Sequence, residues 1–176
     1  NYKMNKTNFK FYSALMLIII LAFSRIIPHP ANFTPILGMA VFAGTVFDRK
    51  IFSFLIPLLA MILSDLFLGF HSDIVIIYFA ICLNVAIGIY FINKISYFKI
   101  FVSLVSGSLV FFIITNFAVW VSSGMYTYSL EGLLTCYTMA LPFLQNTIIS
   151  TILYGVGAFF IFELSNKYLV FRPKNY

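Results

Sequence analysis

Nine residues in this chain combine polar chemistry with strongly apolar surroundings: Arg25, His29, Asn32, Asp65, His71, Asn116, Trp120, Gln145 and Asn146. In hydrocarbon an ionisable side chain costs about 2.5–3.5 kcal/mol on insertion scales, so it faces protein or water and carries a functional reading by default. The stretch 56–73 is the clearest case. It runs uncharged to Asp65 and then ends in Gly69, His71 and Asp73, which reads as the floor of a site. Arg25 closes an earlier apolar run. Two roles for Arg25 and Asp65 stand open together: an ion pair that locks two helices, or contacts that hold a ligand. Asn116, Gln145 and Asn146 supply amides that orient a ligand, and Trp120 supplies a face that stacks on a flat one. Asn116 serves equally as glue between helices, and Trp120 as part of an interfacial belt. His29 and Asn32, between prolines, are placed to close such a site.

Other chemistries find less support. His71 and Asp73, with Asp65 and His29, offer oxygen and nitrogen ligands to a metal, but neither an HExxH run nor a cysteine pair accompanies them, so no metal is assigned. No serine lies in a GxSxG elbow and no glycine-rich phosphate loop is present, so the chain reads as a non-enzyme without a cofactor. Cys82 and Cys136 are too few to suggest a disulfide framework.

The elements that must position these residues follow from composition. The 176 residues are 62% hydrophobic and 9% charged, far too apolar for a soluble domain. The chain is therefore expected to be an all-α membrane protein. Six spans are expected, over residues 11–27, 33–47, 51–70, 74–93, 98–121 and 141–164, with residues 122–140 an interfacial helix before the last. Residues 1–10 form a cytoplasmic N-terminal segment and 165–176 a basic cytoplasmic tail, flanking a transmembrane domain over 11–164. Lysines precede the first apolar run, as in a signal peptide, but Arg25 and a proline-rich loop follow it instead of a cleavage site, so it reads as a span. The prolines at 28, 30 and 35 make that loop stiff and extended.

With six spans, all but one of the 11 basic residues fall on one side, Arg25 alone lying toward the other. That asymmetry sets both termini in the cytoplasm of a cell (inner) membrane. The net charge of +6 is then a topology signal, and nucleic acid is not expected as a partner. Nearly all the unusual polar groups collect in the outer half, which suggests a pocket open to the outside.

The succession SRIIPHPANFTPILGMAVFAG, IPLLAMILSDLFLGFH, TNFAVW and GLLTCYTMALPFLQNT resembles a family of small uncharacterised bacterial membrane proteins described at most as transporters. In plan the chain is similar to the substrate-binding S components of energy-coupling factor vitamin transporters, which have six helices, cytoplasmic termini and an outward pocket under a loop. The resemblance implies that residues 28–35 act as a lid, that Asn116, Trp120, Gln145 and Asn146 line the pocket, and that energy-coupling subunits are partners. The alanine pair four apart in the first helix of S components is absent, Ala14 being followed by Ile18. The expected function is therefore substrate binding or solitary uptake of a small, vitamin-like molecule. The alternative is a structural or assembly subunit without transport activity.

Overall fold

The computed structural model describes residues 6–70 and 73–170, and over them the chain is all-helical. Six helices follow one another: α1 (Lys6–Ser24), α2 (Ile36–Val46), α3 (Lys50–Leu68), α4 (Ile74–Phe91), α5 (Tyr97–Ser122) and α6 (Leu130–Val170). Of these, α3, α4, α5 and α6 are long and apolar enough to cross a membrane, while α1 and α2 are shorter apolar helices.

The organising element is α2. Every residue from Leu37 to Gly44 is buried, so this helix is apolar on all sides and forms the core instead of lining it. Its 11 residues reach only about 16 Å, half the hydrocarbon thickness. The expected second span over 33–47 is thus a short central helix, packed against each of the other five. Glycines permit the approach. A Cβ at Gly44 would run into the Val85 carbonyl of α4, and one at Gly88 into the Val41 carbonyl of α2, so the two backbones are nearly in contact. At Gly38 a Cβ would lie 2.7 Å from the Gly155 nitrogen and 2.9 Å from the Thr151 carbonyl, which sets α2 against α6.

The buried residues of α3, Ser53, Pro57, Ala60, Met61, Ser64 and Asp65, recur at helical spacing and turn one stripe toward this core. The helix stops where Gly69, at φ 91°, donates its N–H to the Asp65 carbonyl at 2.8 Å. Between α4 and α5, the Asn84 amide donates to the carbonyls of Ala80 and Gly107, at 3.0 and 3.3 Å, from a fully buried position.

The largest difference from expectation is at α6. Residues 123–129 form the turn after α5, and 130–140 are the opening turns of α6, continuous with the rest. The interfacial helix is therefore not a separate element. Ser129 starts it, accepting the Gly132 N–H at 3.1 Å as an N-cap. Pro142 is accommodated within the helix, removing one N–H without breaking it. Cys136 is buried on this helix, and Cys82 and Cys136 are both free thiols.

Contacts across the bundle fix the helix directions. The C-terminal end of α1 meets that of α3 through Arg25 and Asp65, and Tyr78 near the start of α4 reaches the same carboxylate. At the other end Phe11 of α1 packs on Phe47 and Phe52, Lys50 lies 5.2 Å over the Tyr90 ring, and Tyr97 donates to Glu163 at 2.7 Å. Successive helices thus alternate in direction. Lys10, Arg49, Lys50, Lys94 and Lys99 gather at one end, and Arg25 at the opposite one.

Candidate functional site

Arg25 lies in the turn just after α1, where its backbone N–H bonds to the Ala22 carbonyl. From there its guanidinium reaches α3: Nη1 donates to Ser64 Oγ at 2.7 Å and to Asp65 Oδ1. Ser64 Oγ donates in turn to the Met61 carbonyl at 2.9 Å, and Tyr78 donates to Asp65 Oδ2 at 2.8 Å. Both carboxylate oxygens are therefore occupied. Asp65 is fully buried and the Arg25 side chain is 12% exposed, so this is a dry, hydrogen-bonded pair linking α1, α3 and α4. Removing one partner from such a pair strands the other charge.

Beside the pair is a cavity of about 140 Å³. Its polar wall is Arg25, Asn32, Thr34, Thr147 and Thr151, and its apolar wall is Ile36, Leu37, Ile77 and Phe111. Thr147 and Thr151, one turn apart on the same face of α6, both border it. Thr147 Oγ1 donates to the Phe143 carbonyl at 2.8 Å. Thr151 Oγ1 is fully buried and has no hydrogen-bond partner among the described residues.

The loop over residues 28–35 closes one side of this cavity and is tied down. A turn runs from Pro30 to Phe33, whose N–H bonds the Pro30 carbonyl at 3.0 Å, with Asn32 at φ 60°, a left-handed conformation that asparagine tolerates. Two side chains of α6 hold the turn from below. The Asn146 amide donates to the Ala31 carbonyl at 3.0 Å, and the Ser150 hydroxyl to the Asn32 carbonyl at 3.4 Å. His29 is exposed, its ring nitrogens 2.9 Å from the Pro30 carbonyl and 3.2 Å from that of Arg25, so it braces the loop instead of facing the cavity.

The sequence-predicted residues thus divide. Arg25 and Asn32 line the cavity, Asp65 stands behind it as the partner of Arg25, and Asn146 tethers its loop. Asn116, Trp120 and Gln145 are not among the residues that line it. The Asn116 amide donates to the Phe112 carbonyl of its own helix at 2.8 Å. Trp120 donates to the Thr127 carbonyl at 3.0 Å and packs on Phe117 and Tyr128, closing the α5–α6 turn. Gln145 is exposed. His71 lies outside the described residues. No group of three or more metal-ligating side chains occurs among the described residues.

Sequence reasoning passed over Tyr78, Ser64, Thr34, Thr147, Ser150 and Thr151. Hydroxyls on apolar helices ordinarily bond their own i−4 carbonyl and give little signal. The spacing of Thr147 and Thr151 at i and i+4 is the one clue that could have found them.

A family pattern covers residues 5–173, nearly the whole length. The chain belongs to that family, a family of unknown function (DUF6580). No curated protein and no solved structure matches it. Membership in DUF6580 therefore agrees with the resemblance to an uncharacterised family, and it brings no activity with it.

Proposed function

We propose that this protein is a multi-pass membrane protein that binds a small molecule from the extracytoplasmic side, as a substrate-binding subunit or a solitary uptake transporter. The observation that carries the reading is the cavity beside the Arg25–Asp65 pair, roofed by a proline-rich loop that is held to α6 by hydrogen bonds from Asn146 and Ser150 and by the Phe33–Tyr154 ring contact. Breaking these few contacts lets such a loop open, and remaking them closes it over a ligand. The buried pair keeps α1, α3 and α4 in register meanwhile.

In this reading the lysine- and arginine-rich end lies in the cytoplasm with both termini, in a six-helix layout across the cell (inner) membrane, and the cavity faces outward. The plan is like that of the S components, with loop 28–35 as the lid and any ATP hydrolysed by energy-coupling subunits. Binding and conformational change suffice, with no chemistry on the ligand. The test is substrate-dependent uptake into cells or proteoliposomes, together with small molecules that copurify. Orientation has its own check: a cysteine at Lys50 resists an impermeant external label, and ready labelling there overturns the assignment.

A second reading, a structural or assembly subunit, draws on α6. Its 41 residues extend about 60 Å, twice the hydrocarbon thickness, and exposed Met125, Tyr128, Leu130 and Leu134 cluster where the α5–α6 hairpin ends. A stable protein partner, in the absence of any ligand or uptake, would favour it.

A further inference from the structure

We infer that the groove between the start of α1 and the end of α6 seats an anionic phospholipid, its phosphodiester between Lys10 and Lys167 and an acyl chain along Leu164 and Phe160. The groove is at the end of the bundle opposite the Arg25–Asp65 pair, so this site stands or falls independently of any ligand in the cavity there.

Three segments meet at the groove: Lys10 comes from α1, Ile95 and Tyr97 from the connection into α5, and Phe160, Glu163, Leu164 and Lys167 from α6. Phe160, Leu164 and Lys167 recur at i, i+4 and i+7, so they share one face of α6, with Phe160 about 10 Å further from the helix end than Lys167. Polarity therefore changes along the groove as it does along a lipid. Cations stand at the rim, and below them Leu164 and Phe160 are 42% and 55% exposed. A soluble anion would leave that apolar stretch uncovered, whereas a phospholipid covers it with its chain.

Lys10 and Lys167 are exposed, and their long stems let the ammonium groups follow a headgroup at the rim. Glu163 is the acid of the groove, and its Oε2 accepts the Tyr97 hydroxyl at 2.7 Å, which ties the start of α5 to α6 and builds one wall. The two lysines against that single carboxylate leave a positive excess that a phosphodiester matches, whereas a zwitterionic headgroup brings a cation that opposes it. Around the groove Arg49, Lys50, Lys94 and Lys99 stand at the same end with Asp48, so the wider field has the same sign. A basic pocket between membrane helices on a lysine-rich face is a setting in which lipid headgroups are held.

The test is native mass spectrometry of the full-length protein in detergent, titrated with dioleoylphosphatidylglycerol or with dioleoylphosphatidylcholine, which share their chains and differ in charge. Phosphatidylglycerol should bind saturably and about five-fold or more tighter than phosphatidylcholine, and glycerophosphoglycerol, its headgroup without chains, should not displace it. Lys10→Gln and Lys167→Gln should each weaken phosphatidylglycerol about five-fold and leave phosphatidylcholine as it was. Lys50→Gln and Lys94→Gln, at the same end but outside the groove, should each change it by less than about two-fold. All four lysines are exposed, so without lipid the variants should unfold at the temperature of the parent. Phe160→Ser should weaken both lipids alike, which locates the chain. Equal binding of the two lipids overturns the anionic assignment, and displacement by glycerophosphoglycerol overturns the lipid in favour of a soluble phosphate ester. A loss at Lys50→Gln or Lys94→Gln as large as that at Lys10→Gln and Lys167→Gln overturns the groove, because the attraction then belongs to the basic face as a whole.

Discussion

Arg25 and Asn116 both occupy apolar surroundings at the cavity end of the bundle, yet they dispose of their polar atoms differently. Arg25 stands just beyond the end of α1 and spans to α3. There it joins Ser64, Asp65 and Tyr78 into one network that borders open space. Asn116 stands within α5 and gives its amide to Phe112, one turn back. Trp120 and Tyr128 likewise bond the Thr127 and Val121 carbonyls of their own hairpin. Polarity in a membrane helix thus marks a site only where the helix cannot absorb it.

The largest test of that contrast is Asp65→Ala. Stranding Arg25 in a dry setting should cost about 3–5 kcal/mol of stability, read by thermal or denaturant unfolding. Replacing both partners with apolar residues, Arg25→Met with Asp65→Leu, should recover most of the loss. A single-variant loss below about 1 kcal/mol would place the pair with weak surface bridges and erase the distinction.

Next is Gly38→Ala, under the cavity. With the Gly155 nitrogen 2.7 Å and the Thr151 carbonyl 2.9 Å from the new methyl, α2 and α6 must separate, at a cost of about 1–3 kcal/mol. Ligand binding should fall with stability. Unaltered stability and binding would mean that the two helices yield freely and that the cavity wall is not rigid.

A smaller effect is expected of Asn146→Ala. Loss of its bond to the Ala31 carbonyl should cost about 0.5–1.5 kcal/mol and speed amide exchange over residues 31–34, while the Arg25 network stays protected. Unchanged exchange would show that the Ser150 bond and the Phe33–Tyr154 contact are enough to hold the loop. Smallest of all, Asn116→Ala and Gln145→Ala should fall within about 0.5 kcal/mol of the parent and leave binding unaltered. A binding defect in either would extend the site onto the α5–α6 hairpin and undo the comparison.

Much of the helical plan was legible in the residues. The apolar runs, the prolines at 28, 30 and 35, and Gly69 place the helices α3, α4 and α5 within a few residues, because burying backbone in hydrocarbon leaves the helix as the economical choice. Asp65 stood out for the same reason, since its desolvation cost is visible without any partner in view. The joining of residues 130–140 to α6 was not legible, as Pro142 read as a helix start and the structure carries the helix through it. Nor were Thr147 and Thr151, whose hydroxyls resemble those of any membrane helix.

By itself, the sequence determined an all-helical chain apolar enough for a membrane, the segregation of basic residues to alternate turns, and the isolation of two opposite charges, Arg25 and Asp65. Those are properties of single segments, set by hydropathy and by backbone hydrogen bonding. Tertiary structure decided that α2 is a core helix, that Arg25 and Tyr78 meet at Asp65, and that the Thr151 hydroxyl is buried without a partner among the described residues. These depend on which helix faces meet across the bundle. That is settled by how closely Gly38, Gly44 and Gly88 let the backbones approach, a quantity that belongs to pairs of helices and not to any one of them.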